Sequence, residues 1–399
     1  MTNQAATRLS SIDVFRAVTM FLMIFVNDLW TLRDIPAWLE HTAADADDMG
    51  LADTIFPAFL FIVGLSIPFA LQARLSRGAN THSTMSYILT RSIALLIMGL
   101  FHVNLDGYST TALLPHPVYQ ILVTVGFFLV WLDYPRTMPP VKKRLLIGLG
   151  IALLALLAAL YKGGEPGHEV WMRPQWWGIL GLIGWSYLLA AMITLFSRDR
   201  LLPIIAALLF FHLFNIGYFA GWLQPIASAR KYLWIAGNGS MPAITMAGVL
   251  VSAIYRQYLA ANTKNITARY ISVLLLVAAA MFLTGFWLRS FWGLSKIRAT
   301  PAWALICTGI SIVAFVAFIV VIDLKKKASW FDWIKPAGTS TLTCYLLPYL
   351  HYAMYTLAGI TLPMYLRMGT VGLVKSLLYA LLIVVAAGLL AREHIRLRI

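Results

Sequence analysis

Apolar stretches of about twenty residues, the length needed to cross roughly 30 Å of hydrocarbon, recur throughout this chain. They fall near 12–30, 53–73, 88–104, 116–133, 144–161, 178–196, 201–219, 240–258, 269–289, 302–323, 338–358 and 371–391. The connections are short apart from 31–52, 162–177 and 220–239, and none could build a water-soluble domain. Only 12% of the 399 residues are charged and 60% are hydrophobic, whereas a soluble domain carries about 25% charge. Most of the surface must therefore face lipid. The expected fold is an all-α polytopic transmembrane helical bundle of about 12 spans, with residues 1–399 forming a single domain. The third span reads as short.

The formal net charge of +15 does not indicate nucleic-acid binding. Lys and Arg cluster in short loops on alternate sides of the spans. Of the 31 basic residues, 21 fall on the side of the N-terminus and ten on the other. This is the positive-inside pattern, and it places both termini in the cytoplasm, as an even span count requires. Trp30, Trp38, Trp176, Trp177 and Trp222 lie near outer span ends, where amphipathic rings anchor at the interface. The first span has no clear cleavage site and reads as retained. The final AREHIRLRI reads as a solvated helix end near anionic lipid heads. The two cysteines, Cys307 and Cys344, both lie in apolar spans, so neither a disulfide framework nor a metal cluster is expected.

Polar residues are costly in such a chain unless they pair, meet water or do chemistry. The segment 8–69 concentrates them. Its outer loop carries His41 among Asp34, Glu40, Asp45, Asp47, Asp48 and Asp53. A free imidazole titrates near pH 6.5, so His41 is suited to accept a proton; an idle loop histidine has equal weight on the residues alone. Asn27, which ends the first span with Asp28, could donate a hydrogen bond to an oxyanion or cap the helix. Asp13 and Arg16 share a helix face and can pair, while an arginine at the inner face also suits phosphates.

His102, Asn104, His116, Gln120, His212, Asn215, Asn238, Tyr345 and His351 are further polar residues, some of them interhelical glue. No metal-binding spacing such as HExxH occurs among them. GNGSMPAITMAG at 237–248 offers small residues for close helix approach, and it is not a P-loop. Lys296 and Arg298, in LSKIRATPAW, suit an anionic group, although interfacial snorkelling is the simpler account.

RLSSIDVFRAVTMFLMIFVN, then His41, then MGLADTIFPAFLFIVGLSI, resembles the opening of the heparan-α-glucosaminide N-acetyltransferase family. LSKIRATPAW and AGTSTLTCYLLPYL are similar to its bacterial branch, so the resemblance extends over most of the chain. It departs from the pattern in three places. The loop between Asn27 and His41 is longer, an acidic TAADADD replaces a tryptophan-containing sequence after the histidine, and the span pair at 178–219 looks extra.

The resemblance implies acetyl transfer across the membrane, from cytoplasmic acetyl-CoA to the amine of glucosamine or a related amino sugar. His41 then stands at the catalytic histidine and Asn27 at the family's functional asparagine. Arg8, Arg16, Arg91 and Lys335 are expected to meet the CoA phosphates, and Asp28, Asp48 and Asp53 the acceptor. No metal and no nucleic acid enter. The implied setting is the inner (plasma) membrane of a bacterium, with the lipid bilayer as partner and a homodimer as an option, since lysosomal members are dimeric. The competing reading is a proton-coupled sugar or amino-sugar permease relying on His212 or His351. The lack of an evident internal repeat weighs against that reading.

Overall fold

The computed structural model describes residues 9–198, 200–226, 235–260 and 266–399. All twelve apolar stretches fold as α-helices. They are α1 (Ser10–Asp28), α2 (Ala52–Leu75), α3 (Thr81–Asp106), α4 (His116–Trp131), α5 (Pro140–Leu160), α6 (Ile179–Ser197), α7 (Leu201–Phe219), α8 (Ser240–Ala260), α9 (Ile266–Trp292), α10 (Pro301–Phe318), α11 (Thr341–Leu357) and α12 (Gly369–Arg392). Only isolated bridges, and no strands, occur among the described residues. Eight helices there are long and apolar enough to cross a membrane: α2, α3, α5, α6, α7, α9, α12, and α10 with its π-helical continuation to Leu324. Among the described residues each expected stretch is helical, and eight helices meet the length and composition of a crossing. α3 is longer than the apolar run suggests, at 26 residues. Asn80 accepts from Ser83 N at 2.8 Å and starts the helix about two polar turns early.

Local chemistry explains the helix ends. Proline stands in the first turn of α4, α5 and α10, where a missing N–H leaves no bond unmade. Thr300 caps α10 by accepting from Trp303 N. Within α10, Thr308 and Ser311 donate to carbonyls four residues back, so their hydroxyls are satisfied without water.

The described residues form two compact units. The first takes in the described part of Met1–Thr19 together with Pro36–Ile93 and Leu182–Asp332. In it α2 and α8 meet backbone to backbone. A Cβ on Gly64 would fall 1.9 Å from the Thr245 oxygen, and one on Gly248 would fall 2.0 Å from the Phe61 oxygen. Ser252 donates to the Leu65 carbonyl at 2.6 Å. Lipid provides little hydrophobic drive between helices, so close approach and such hydrogen bonds hold them. α9 packs along α10, with Gly309 against the Phe282 ring.

The second unit comprises Met20–Ile35, Ala94–Gly181 and Trp333–Ile399. Gly126 lets α4 approach Leu154 of α5, and Gln120 donates to the Tyr349 carbonyl at 2.7 Å, joining α4 to α11. The C-terminal tail is not a free basic end. Arg396 pairs with Asp133 at 2.7 Å, and Leu397 bridges to Leu132.

The α2–α8 contact yields a test. Gly248→Val should destabilise the protein by about 1–3 kcal/mol, the usual cost of overpacking, because the Phe61 carbonyl cannot yield as a flexible side chain would. Thermal unfolding in detergent against wild type measures it.

Candidate active site

The site grows from one buried carboxylate in the first unit. Asp53 lies in the first turn of α2 with no solvent exposure, where the positive end of the helix dipole favours an anion. Its Oδ2 accepts from Thr42 N at 3.1 Å, Thr42 Oγ1 at 3.1 Å and Gly50 N at 3.2 Å. These bonds curl residues 42–50 back over the start of the helix. The curl also needs a glycine at position 50, since a Cβ there would sit 1.9 Å from the Glu40 oxygen. Trp303 Nε1 donates to the Asp53 carbonyl at 3.2 Å, tying α10 to the same point.

The remaining oxygen of Asp53, Oδ1, faces His41 Nδ1 at 2.7 Å. An ionised carboxylate can only accept, so Nδ1 carries the hydrogen and the neutral ring keeps its lone pair on Nε2. The His41 side chain is 45% exposed, its carboxylate partner 0%. A buried anion thus fixes the tautomer and orientation of a half-exposed imidazole, the arrangement of a general base.

Lys296 completes the cluster. Its Nζ lies 3.1 Å from Nδ1 and 3.3 Å from Nε2 of His41, and 3.8 Å from Asp53 Oδ1. Burial pushes the Lys296 ammonium below its ordinary range, and the charge of Asp53 opposes that shift. The turn that carries Lys296 is clamped to the His41 loop. Arg289 Nε donates to both oxygens of Asp47 at 2.9 and 3.1 Å. Leu294 N donates to Asp47 at 2.6 Å, and Ser295 Oγ to the Ala44 carbonyl at 3.0 Å. On its far side, the amides of Asn215 and Asn238 donate to the Ala299 carbonyl at 3.3 and 3.1 Å. Ala299 itself has a φ of +52°. Two polar residues that read as interhelical glue therefore support this turn.

The other sequence-derived residues are placed as follows. Asp48 is exposed in the His41 loop; its carboxylate accepts from Met49 N and its carbonyl from Thr42 Oγ1. Arg16 pairs with Asp13 at 3.3 Å and also donates to Ser66. Arg91 donates to the Tyr87 hydroxyl at 3.2 Å and lies over the Tyr187 ring. In the second unit, Asn27 is exposed in the last turn of α1. Asp28 beside it is 2% exposed and accepts from Lys375 Nζ and Ser376 Oγ, both at 2.6 Å, and from the Tyr352 hydroxyl. Lys335 is exposed at the start of the short helix Lys335–Thr339. Arg8 lies outside the described residues. Among the described residues no cluster of His, Cys, Asp and Glu could hold a metal.

Lys296 is the residue that sequence reasoning underrated. Its only signal was a basic side chain in a short loop of small residues, which an interfacial lysine shares.

No protein-family model matches this chain. Two curated relatives do. It is 34% identical over 101 residues to heparan-alpha-glucosaminide N-acetyltransferase of Homo sapiens, and 32% identical over 104 residues to the protein of that name from Mus musculus. These matches take in 24% and 25% of this chain, and they span only 14% of the length of either relative. That is less of the chain than the motif resemblance covers, and it supports a family-level link at most.

Two tests follow from the ion pairs. Despite some opposing burial, Arg289 and the Leu294 amide hold the Asp47 carboxyl below its ordinary range. A depressed carboxyl stabilises the fold above its unfolded pKa, about 4, and loses that contribution as pH falls through the lower folded value. Melting curves of wild type and Arg289→Ala should therefore differ at neutral pH and converge in acid. Lys375→Met strands a buried Asp28 carboxylate and should cost about 3–5 kcal/mol. Adding Asp28→Asn should recover much of that stability, as read by thermal unfolding of the single and double variants.

Proposed function

We propose that this chain is a transmembrane acetyltransferase. On this reading it moves an acetyl group from cytoplasmic acetyl-CoA to the amine of glucosamine or a related amino sugar on the far side of the membrane. The observation that carries the reading is the His41–Asp53 pair, a half-exposed base fixed by a fully buried carboxylate, in a chain partly similar to N-acetyltransferases. A thioester carbonyl is already activated. The protein has to position an amine and remove its proton.

His41 Nε2 takes that proton, and Asp53 stabilises the imidazolium that forms. The exposed Asp48 carboxylate favours a cationic acceptor over a neutral one. Asn27, which stands at the family's functional asparagine by resemblance, is a second functional residue on this reading, and the hydrogen-bonded Asp28 steadies the end of α1 that bears it. Arg16 and Arg91 bind CoA phosphates at the inner face, with Arg8 and Lys335 as further cations. This function assigns all of 1–399 to one acyltransferase domain with twelve crossings and both termini in the cytoplasm. It belongs in a bacterial plasma membrane, with a homodimer as an option.

The test is CoA release by purified protein given acetyl-CoA and a panel of amines led by glucosamine. Wild type should release CoA only with an acceptor, and His41→Ala should abolish this. Asp53→Asn should lower kcat by about 10²–10⁴-fold, since the ring then loses its fixed tautomer. No release with any amine, with labelled sugar still crossing proteoliposomes of wild type and His41→Ala alike, would leave the permease instead.

A further inference from the structure

Lys296 has no use in that account, yet its placement is among the most heavily braced in the first unit. The Lys296 side chain is 24% exposed, too enclosed for one that merely snorkels to water. Nor is it needed to satisfy Asp53. Thr42, Gly50 and His41 already donate to its carboxylate, and Lys296 adds charge as an ion pair at 3.8 Å without a hydrogen bond. An ammonium has three hydrogens to donate, and the hydrogen-bond partners seen for Nζ are the ring nitrogens of His41. One of these is committed to Asp53. The lysine is thus an ammonium held against the imidazole, nearly equidistant from its two nitrogens and so beside Cε1, which leaves the Nε2 lone pair open. It is held there by Asp47, Arg289, Ser295, Asn215 and Asn238 through the turn on either side.

The charge lies where negative charge would develop. An amine passing its proton to Nε2 must lie about 3 Å from that nitrogen. The carbonyl carbon it attacks is then one forming bond further on, and the carbonyl oxygen lies one bond beyond the carbon. Nζ stands 3.3 Å from the same Nε2, on the scale of the few bonds that separate that oxygen from the base, so a cationic donor is at hand for the oxyanion.

We propose that Lys296 is a catalytic residue of this site, donating from Nζ to the oxyanion formed when the acceptor amine attacks the acyl carbonyl. The role rests on the acetyl-transfer reading above. The amine nitrogen forms the new C–N bond while the carbonyl π pair moves to oxygen, which accepts a hydrogen bond from Lys296. Nε2 of His41 takes the proton from the amine. The oxygen pair then returns as the C–S bond breaks, and the proton on Nε2 passes to the departing CoA thiolate. Amine and thioester become amide and thiol, and Lys296 ends as it began, free to return to the ring.

Steady-state kinetics on full-length protein in detergent, with acetyl-CoA and glucosamine, test this through Lys296→Met, Lys296→Gln and Lys296→Arg. Size-exclusion profile and melting midpoint are recorded for each. Loss of an oxyanion donor should lower kcat by about 10²–10³-fold in the Met and Gln variants, with KM for the amine little changed. Arg keeps the charge and should recover much of the loss. Wild-type kcat in Lys296→Met overturns the role, as does a loss carried wholly by KM. Equal inactivity of Met and Arg variants with lowered melting midpoints also overturns it, because the lysine is then structural. A wild-type protein that acetylates no amine sinks the acetyl-transfer reading itself, and this role with it.

Discussion

A carboxylate withdrawn from water must be met by donors or it will not stay ionised, and the first unit is arranged around meeting that demand at Asp53. Four hydrogen bonds from residues 41, 42 and 50 converge on it. Each comes from the loop just before α2, so satisfying the anion and folding the loop are one event. The carbonyl of the same residue accepts from Trp303, which brings α10 to the same place. Without the buried charge, the loop would have little reason to turn back and His41 no fixed orientation.

The same economy of polar groups runs through the second unit. Asp28 ends α1 and is bound by Lys375, Ser376 and Tyr352 from α11 and α12. Arg33 and Gly369 extend the seam through their backbones. In each unit, then, a single buried aspartate joins a helix end to distant parts of the chain. Apolar helices alone, sliding in lipid, have few means of specifying one register. Buried ionic groups are well placed to do so.

The helices were readable from run length because hydrocarbon imposes a minimum on it, and the start of α3 was misjudged because polar turns capped by Asn80 leave no apolar trace. The chemistry was legible more unevenly. His41 stood out as a lone imidazole in an acidic loop, but which of six carboxylates backs it was not readable. Helix α2 decides that by turning Asp53 inward and leaving Asp48 outside. Asp28 looked available and proves fully engaged. Lys296 was the hardest to see, because it lies 255 residues from its partner and nothing local distinguishes it from a lipid-facing lysine.

That separation bears on how the molecule is made. Contacts between residues far apart in sequence form late, after the intervening chain has been ordered, and domains emerge from the ribosome N-terminal part first. His41 and Asp53 can find each other as soon as α2 is inserted, being 12 residues apart. The Arg289 clamp on Asp47 arrives only with the end of α9, and their lysine with the turn beyond it. The growing chain therefore carries an incomplete centre through most of its synthesis. A product truncated before residue 289 would hold the imidazole and its aspartate yet lack the cation beside them.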